Sequence, residues 1–506
     1  MQREFNDPAT RYRQSSLLPL TAAAVLFLAA LPAQAQSVTF DGESFVNKGL
    51  VAVARLPADA KDKQGDTLGG IGSGMAADLS SWKRDGDSYS GTLYMVPDRG
   101  WNTEGTLDFQ GRVQVFDVKL APDYGAEGPK QQSGLGLTYK DSILLHEADG
   151  TATTGLDPTD VRKAANGFPD LPVANGRITL DNEGIVHPAD GGFWVSDEYG
   201  PYVYHYGPDG KLLGAIRPPA AFIPMRKGVE NFASNNPPAG TPGPKPANPE
   251  SGRQNNQGFE GLALGPDGKH LYVLLQSALI QDGGAGGSSP TRFNTRLLAY
   301  DIADPAAPKL TGEYVVQLPR FKDPKKGKTL VAAQSELLAL NDKQFLLIAR
   351  DSARGFATPE PASVYRSVDL ISIAKATNIA GSDFDGAKPV APKGELDPSV
   401  TPAEYARFID INDNAQLNRF GLHNGEPQDP NDLYEKWESL AVLPVGDSAA
   451  PNDYFLMVGS DNDFITQHGS MQGKPYADAS GKDVDTVVLV YRVTLPGYVP
   501  PTVKTQ

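Results

Sequence analysis

One unit recurs along this chain, and it restricts the fold more than any other feature. Residues 181–199 read DNEGIVHPADGGFWVSDEY: Glu183 opens a short apolar run, a turn-forming segment reverses the chain, and a second apolar run delivers Asp197 and Glu198. This is the pattern of a β-hairpin with acids at matched ends. The same parts return in residues 257–276 (QGFEGLALGPDGKHLYVLLQ) around Glu260, in 334–351 (QSELLALNDKQFLLIARD) around Glu336, and in 436–463 (KWESLAVLP to YFLMVGSDND) around Glu438. The four glutamates stand 77, 76 and 102 positions apart. Two steps are nearly equal and the third carries an insertion.

Repeated sheets of this length, none able to bury both faces alone, are the signature of a β-propeller. Alternation of apolar and polar residues supplies outer strands. They fall at 112–120 and 141–146 beside a first hairpin (69–78 and 92–96), at 202–206 and 211–216 beside the second, and at 295–302 and 312–318 beside the third. Residues 364–373 extend the fourth and 484–493 the last. The strands expected at 37–40 and 50–56, with the stretch 352–437, leave room for one more sheet. The expectation is therefore an all-β propeller of six blades, within a range of five to seven. Short helices are expected at 158–165, 403–408 and 432–438. Segment 218–257, rich in Pro, Gly and Asn, reads as an exposed loop insertion, with further insertions at 282–290 and 374–432.

The 506 residues carry 61 acidic against 46 basic side chains, a net charge of -15. That balance argues against nucleic acid as a partner, because binding a phosphate backbone needs clustered Lys and Arg. Such a surface repels anionic lipid and can collect divalent cations. No cysteine is present, which rules out disulfides, thiolate metal sites and a cysteine nucleophile. Near the N-terminus Arg3, Arg11 and Arg13 precede an apolar run at 17–31, and Ala33-Gln34-Ala35 fits small-x-small cleavage. That run is about fifteen residues long, short of the roughly 20 that span a bilayer. A signal peptide (1–35), cleaved after Ala35, and a single mature domain (36–506) are expected, the latter periplasmic or secreted and without membrane contact.

In a propeller the first strand of each sheet lines a central channel, and the loops at one end form a shared mouth. Superposing the repeats brings Glu183, Glu260, Glu336 and Glu438 to one level, where four carboxylates cannot all ionise without compensation. A hard divalent cation, basic side chains or retained protons can provide it. An all-oxygen site in a chain with six histidines and no thiols suits calcium. The alternative is that each glutamate caps neighbouring backbone N–H groups. Asp98, Asp197, Glu198, Asp351, Asp461 and Asp463 end strands where either a mouth or a turn would stand. The candidate metal set is Glu183, Asp197, Glu260, Glu336, Asp351, Glu438 and Asp461. Arg99, Arg292 and Arg350 are candidates for holding a phosphate or carboxylate or for neutralising the glutamates, with neutralisation favoured for Arg350. His187 follows the opening strand and is the one histidine expected near the mouth. There is no Gly-x-Ser-x-Gly, no His-Glu-x-x-His, and no Walker lysine after the glycines of 69–74.

Taken in order, DNEGI with WVSDEYGP, GFEGLALGPDGKHLYVLLQ, SELLAL with FLLIARD, and KWESLAV with VGSDND-F resemble the phytase-like family of exported bacterial proteins described as having esterase-like activity. The resemblance implies a fold related to the β-propeller phytases, which hydrolyse phosphomonoesters with calcium. The expected function is hydrolysis of a small phosphate or carboxylate ester, with calcium in an acidic mouth. Two alternatives stand beside it: a non-catalytic ligand- or protein-binding propeller with structural metal, and a metal-dependent lactonase-type enzyme using Asn182 and Asn462. Two sheets depart from the repeat. Gln276 stands where an acid is expected, and residues 74–76 contain no glutamate.

Overall fold

Runs such as Phe193-Trp194-Val195 and Phe345-Leu346-Leu347-Ile348 are apolar at every position, as in strands buried on both faces. The computed structural model, which describes residues 35–125, 132–189, 191–286 and 289–501, places them so. The expected signal peptide, Ala35 apart, lies outside those residues. The chain is all-β, with 44% strand and 4% helix. Sheet I comprises Gly74–Asp85, Ser88–Val96, Arg112–Leu120 and Leu135–Leu144, paired antiparallel in that order. Sheet II comprises Asn182–Val186, Phe193–Asp197, Val203–Tyr206 and Leu212–Ile216. Sheet III has Phe259–Leu264, His270–Leu275, Asn294–Asp301 and Lys309–Gln317, and sheet IV has Ala333–Ala339, Gln344–Arg350, Arg366–Ser372 and Glu404–Asp410. Sheet V runs Trp437–Pro444, Asp453–Ser460, Thr486–Thr494, Glu43–Leu56 and Gln36–Phe40.

Five sheets of four or more strands are thus present among the described residues, against six expected. The material set aside for a sixth is divided between two others. The N-terminal strands are the outer strands of sheet V, and 404–410 completes sheet IV as a strand where a short helix was expected at 403–408. Residues 158–165 likewise hold a strand, Asp160–Arg162, of a small three-stranded sheet, and 432–438 contains no helix.

The apolar core is divided into slabs between consecutive sheets. Val96 and Val113 of sheet I meet Ile185 and Val195 of sheet II, and Trp194 and Val203 on the other face of sheet II meet Val273 and Leu298 of sheet III. Leu274 and Leu297 then meet Phe345 and Leu347, and Ile348 and Val368 meet Leu456 and Val458. Met457 and Val488 of sheet V meet Met75 and Leu93 of sheet I. Alternate residues of one strand therefore serve two slabs, which is why these strands carry no polar face.

The first strands of neighbouring sheets run almost in backbone contact. A Cβ added at Gly74 would stand 2.2 Å from the Glu183 carbonyl oxygen, one at Gly184 would stand 2.7 Å from Leu262 Cβ, and one at Gly261 would stand 2.4 Å from Leu337 N. Glycine after the glutamate is thus a spacing requirement, with no positive φ involved.

The insertion 218–257 departs from expectation by being packed. Arg226 and Arg253 are buried hubs. Arg226 donates to the carbonyls of Asn231, Ala233, Pro246 and Ala247, and Arg253 to those of Tyr199, Phe232 and Gln254. A guanidinium's five donors satisfy backbone carbonyls that no strand partner meets. Between 282–290 and 374–432 a buried carboxylate does the joining: Asp282 accepts from Arg296 Nη2 (2.8 Å) and from the Val390 N–H (2.7 Å), pinning one insertion to the other.

Replacing Gly261 by Ala should lower stability by about 1–3 kcal/mol through overpacking. Gly214→Ala, where the nearest neighbour of the new Cβ would be 3.8 Å away, should leave stability nearly unchanged. Paired denaturant titrations check this, and equal effects at the two positions would contradict it.

Candidate functional site

Each glutamate of the repeat sits on a β-bulge. The ladder between the first two strands slips between Asn182 and Ile185 in sheet II, Phe259 and Leu262 in sheet III, Gln334 and Glu336 in sheet IV, and Trp437 and Ser439 in sheet V. Sheet I has no glutamate there, and its pairing runs unbroken through Gly74, Met75 and Ala76. A bulge re-aims a side chain that regular pleating would send into a slab. The repeat therefore encodes a backbone defect together with the acid that uses it.

The acids collect in two groups. Asp181, Glu183 and Glu198 offer carboxylate oxygens all within 4.8 Å of one another, and all three side chains are buried. Arg99 Nη1 meets Asp181 Oδ2 at 2.8 Å, the one salt bridge made to this group among the described residues. Glu198 Oε1, Glu260 Oε2, the Arg99 Nε and both amide atoms of Asn182 are buried without hydrogen-bond partners among the described residues. Burial pushes the Glu183 carboxyl well above the ordinary range, with Glu260, Glu198 and Asp181 adding to it. Burial and then Asp181 push Glu198 up to about 7. Glu260 is raised by burial and by Glu198.

Asp98, Asp461 and Asp463 form the second group. Lys436 stands among them, its Nζ 2.5 Å from Asp461, 2.8 Å from Asp463, 3.3 Å from Glu438 and 3.9 Å from Asp98. Burial and then Asp461 hold Asp98 well above the carboxylate range. Burial raises Asp461 to about 7 against the pull of Lys436. Burial would raise Asp463 too, but Lys436 and the Tyr434 hydroxyl outweigh it and hold this carboxyl low.

Two acids of the repeat each engage a side-chain donor through one oxygen. Gln276 Nε2 donates to Glu260 Oε1, and Arg350 Nη2 to Glu438 Oε1. The departure at Gln276 is thereby explained: an amide there engages the glutamate without adding charge. Glu336 behaves as the cap reading describes, its Oε1 accepting the N–H groups of Leu337 (2.7 Å) and Leu262 (3.2 Å).

Several expected site residues lie elsewhere. Asp197 accepts the N–H groups of Asp181 (2.8 Å) and Gly200 (3.1 Å), tying the turn that carries Glu198 to the strand that carries Glu183. Asp351 accepts Ser363 Oγ and the Val364 N–H, both at 2.7 Å, and serves its own loop. Arg292 is buried on Ser277 Oγ (2.7 Å) and the carbonyls of Ala278 and Gly284, so its donors are spent on neutral groups of its own loop. His187 is at the other end of its strand, bonded through Nδ1 to the Gly192 carbonyl at 2.8 Å. Asp181 and Lys436 were not singled out from the sequence, although both stand two residues before a repeat glutamate, where the other sheets carry Gly258 and Gln334.

Residues 68–464 match the family described as phytase-like, esterase-like activity of phytase. The chain belongs to this family. An uncharacterized secreted protein of Arthroderma benhamiae is 45% identical over 453 residues, covering 83% of this chain and 88% of that protein. Among solved structures, a luciferin-regenerating enzyme is 11% identical with a TM-score of 0.30, covering 90% of this chain and 99% of its own. A gluconolactonase from Xanthomonas campestris is 12% identical with a TM-score of 0.27, covering 94% of each chain. No helix among the described residues is long and apolar enough to cross a membrane.

The donor set fits a hard cation at one group and not at the other. Asp181, Glu183 and Glu198 are oxygen donors with little compensation, whereas Asp98, Asp461 and Asp463 already hold an ammonium. Lys436→Met should cost about 3–5 kcal/mol in chelator, as expected when a buried ion network loses one sign. A loss below about 1 kcal/mol would mean that the network is solvated like a surface pair.

Glu198 and Asp461 both titrate near 7 in the folded chain, above their unfolded values. The folded state therefore holds their protons more tightly, and stability falls as pH rises from the unfolded carboxylate range through about 7. In chelator, the Glu198→Gln/Asp461→Asn variant should lose less stability between pH 5 and 8 than the native chain, a window set by these carboxyls. Equal losses in the two proteins would refute the assignment.

Proposed function

We propose that the five sheets are the blades of a propeller. Its acidic mouth is read as a calcium-dependent hydrolytic site for small phosphate or carboxylate esters, in an exported protein. The observation that carries the reading is the group Asp181, Glu183 and Glu198, three buried carboxylates facing one guanidinium. Calcium held by these side chains would supply Lewis-acid polarisation of the ester. Arg99 keeps Nε unpaired among the described residues, an N–H able to bind a substrate oxygen beside Asp181. Glu198, which titrates near 7, is suited to move a proton at neutral pH. Lys436 and Arg350 hold the remaining acids in place and keep their own charges occupied.

A lactonase-type reaction is the second reading, favoured by Asn182, whose amide is buried beside Glu183 with neither atom paired among the described residues. Asn462 does not support it: its amide is spent on the N–H groups of Gly70 and Phe464 and on the Val484 carbonyl.

Hydrolysis of p-nitrophenyl phosphate, p-nitrophenyl acetate and phytate, each with calcium and with chelator, tests the first reading, and a lactone panel tests the second. Chelator-sensitive turnover that Glu183→Gln reduces by about two orders of magnitude or more is expected. No turnover on either panel, together with an unchanged melting temperature on adding calcium at pH 8, would remove both.

A further inference from the structure

Positive charge is concentrated at one place in this acidic chain, away from the groups described above. Residues 320–328, RFKDPKKGK, hold Arg320, Lys322, Lys325, Lys326 and Lys328 against Asp323 alone, a net +4 in nine residues. Outside this run no window of nine positions holds more than three basic residues. Taking that +4 from the chain's -15 leaves -19 on the remainder, so the segment runs against the charge of its own molecule.

The segment is built as an ordered hairpin. Arg320–Lys322 pairs antiparallel with Thr329–Val331, between the last strand of sheet III and the first strand of sheet IV. Its turn is closed by its one acid. The Asp323 N–H donates to the Lys328 carbonyl (2.9 Å), and the Asp323 carbonyl accepts the Gly327 N–H (2.8 Å). The buried Asp323 carboxylate accepts the N–H groups of Lys325 and Lys326, both at 2.8 Å, and Arg354 Nη2 at 3.0 Å. At the base, the Arg320 guanidinium lies 4.2 Å from the centroid of the Phe293 ring. Asp323 is thus spent inward, while all five basic side chains are exposed. Lys325 meets Glu360 at 2.5 Å, and the other four make no salt bridge among the described residues. A turn already held in one shape loses little conformational freedom on binding.

The surroundings select the partner. Residues 324–328 are all exposed and offer no aromatic ring for a base to stack on and no aliphatic branch to enter a bilayer. A broad anionic surface would meet the negative remainder of the molecule, whereas a narrow chain can touch the hairpin alone. The N–H groups of Lys325 and Lys326, which could cradle a phosphate, already belong to Asp323. What faces outward is a set of separate ammonium groups, each a point charge on a flexible stem.

We propose that the hairpin 320–331 is a docking site for an acidic polysaccharide, a narrow chain bearing spaced carboxylates. The site is independent of the ester reading and shares no residue with it.

The test uses the full chain and fluorescein-labelled polygalacturonate, followed by fluorescence anisotropy. Saturable binding at low salt is expected, with log Kd rising against log salt at a slope of about 2–3, as counterion release at roughly four contacts requires. Lys325→Glu/Lys326→Glu/Lys328→Glu should weaken binding by more than about tenfold. Lys83→Glu/Lys119→Glu/Lys140→Glu makes the same change in net charge on exposed lysines of sheet I and should weaken it by less than about twofold. Both variants are compared with the native chain at matching circular dichroism and melting temperature. Oligothymidylate and vesicles containing phosphatidylglycerol should each bind more weakly than polygalacturonate. No binding at low salt, equal losses in the two triple variants, or either of the other ligands bound as tightly would overturn the proposal.

Discussion

Burying ionised carboxylates is the constraint on which the rest of this structure turns. Removing such a group from water costs several kcal/mol unless something compensates it. Here Asp98, Asp181, Glu183, Glu198, Glu260, Glu438 and Asp461 are all buried at one end of the sheets. The compensation is uneven. Arg350 and Lys436 serve Glu438 and the acids beside Asp98, backbone N–H groups serve Glu336, an amide serves Glu260, and the acids around Glu183 have Arg99 alone among the described residues. A stable fold with no further purpose would spread its counter-charges more evenly, and the deficit at Asp181, Glu183 and Glu198 is what gives that corner its chemical interest.

Holding the acids there depends on backbone geometry. The bulge at each glutamate turns the carboxyl away from the slab that its neighbours fill, and the glycines at 184 and 261 let the next strand approach at once. The two features work together. A side chain at Gly184 would push sheet III away, and with it the Glu260 that raises the pKa of Glu183.

The hairpins were legible in the sequence because strands buried on both faces read as unbroken apolar runs between turn residues, and because one pattern occurred four times. Sheet membership was less so. Leu50 to Leu56 has the same character whichever sheet it joins, and only its pairing with 486–494 decides the matter. Residues 404–410 mix charged and apolar side chains in a way that suits an outer strand as well as a helix. Within the site, the glutamates were visible through their spacing, and Asp351 was misplaced because a turn-forming aspartate and a mouth aspartate look alike until the N–H of Val364 is seen to occupy it. Lys436 was hidden because a lysine among acids ordinarily signals a solvated surface. The order of residues 218–257 was hidden for a related reason: composition counts Pro and Gly as loop formers, but it does not register an arginine that gathers carbonyls.

Sheet V joins the two ends of the described chain. Lys48 meets Asp453 across 405 positions, and Val46 lies opposite Thr494. Contacts of that separation form late, because the chain between them must be ordered first. Until residues 486–494 are available, the Asp453–Ser460 strand has an open edge and the slab between sheets V and I lacks Val488 and Val490. A nascent chain of this protein therefore holds residues 36–56 in reserve, and it becomes resistant to proteolysis and to self-association in one late step, when that segment is stitched to residues 486–494.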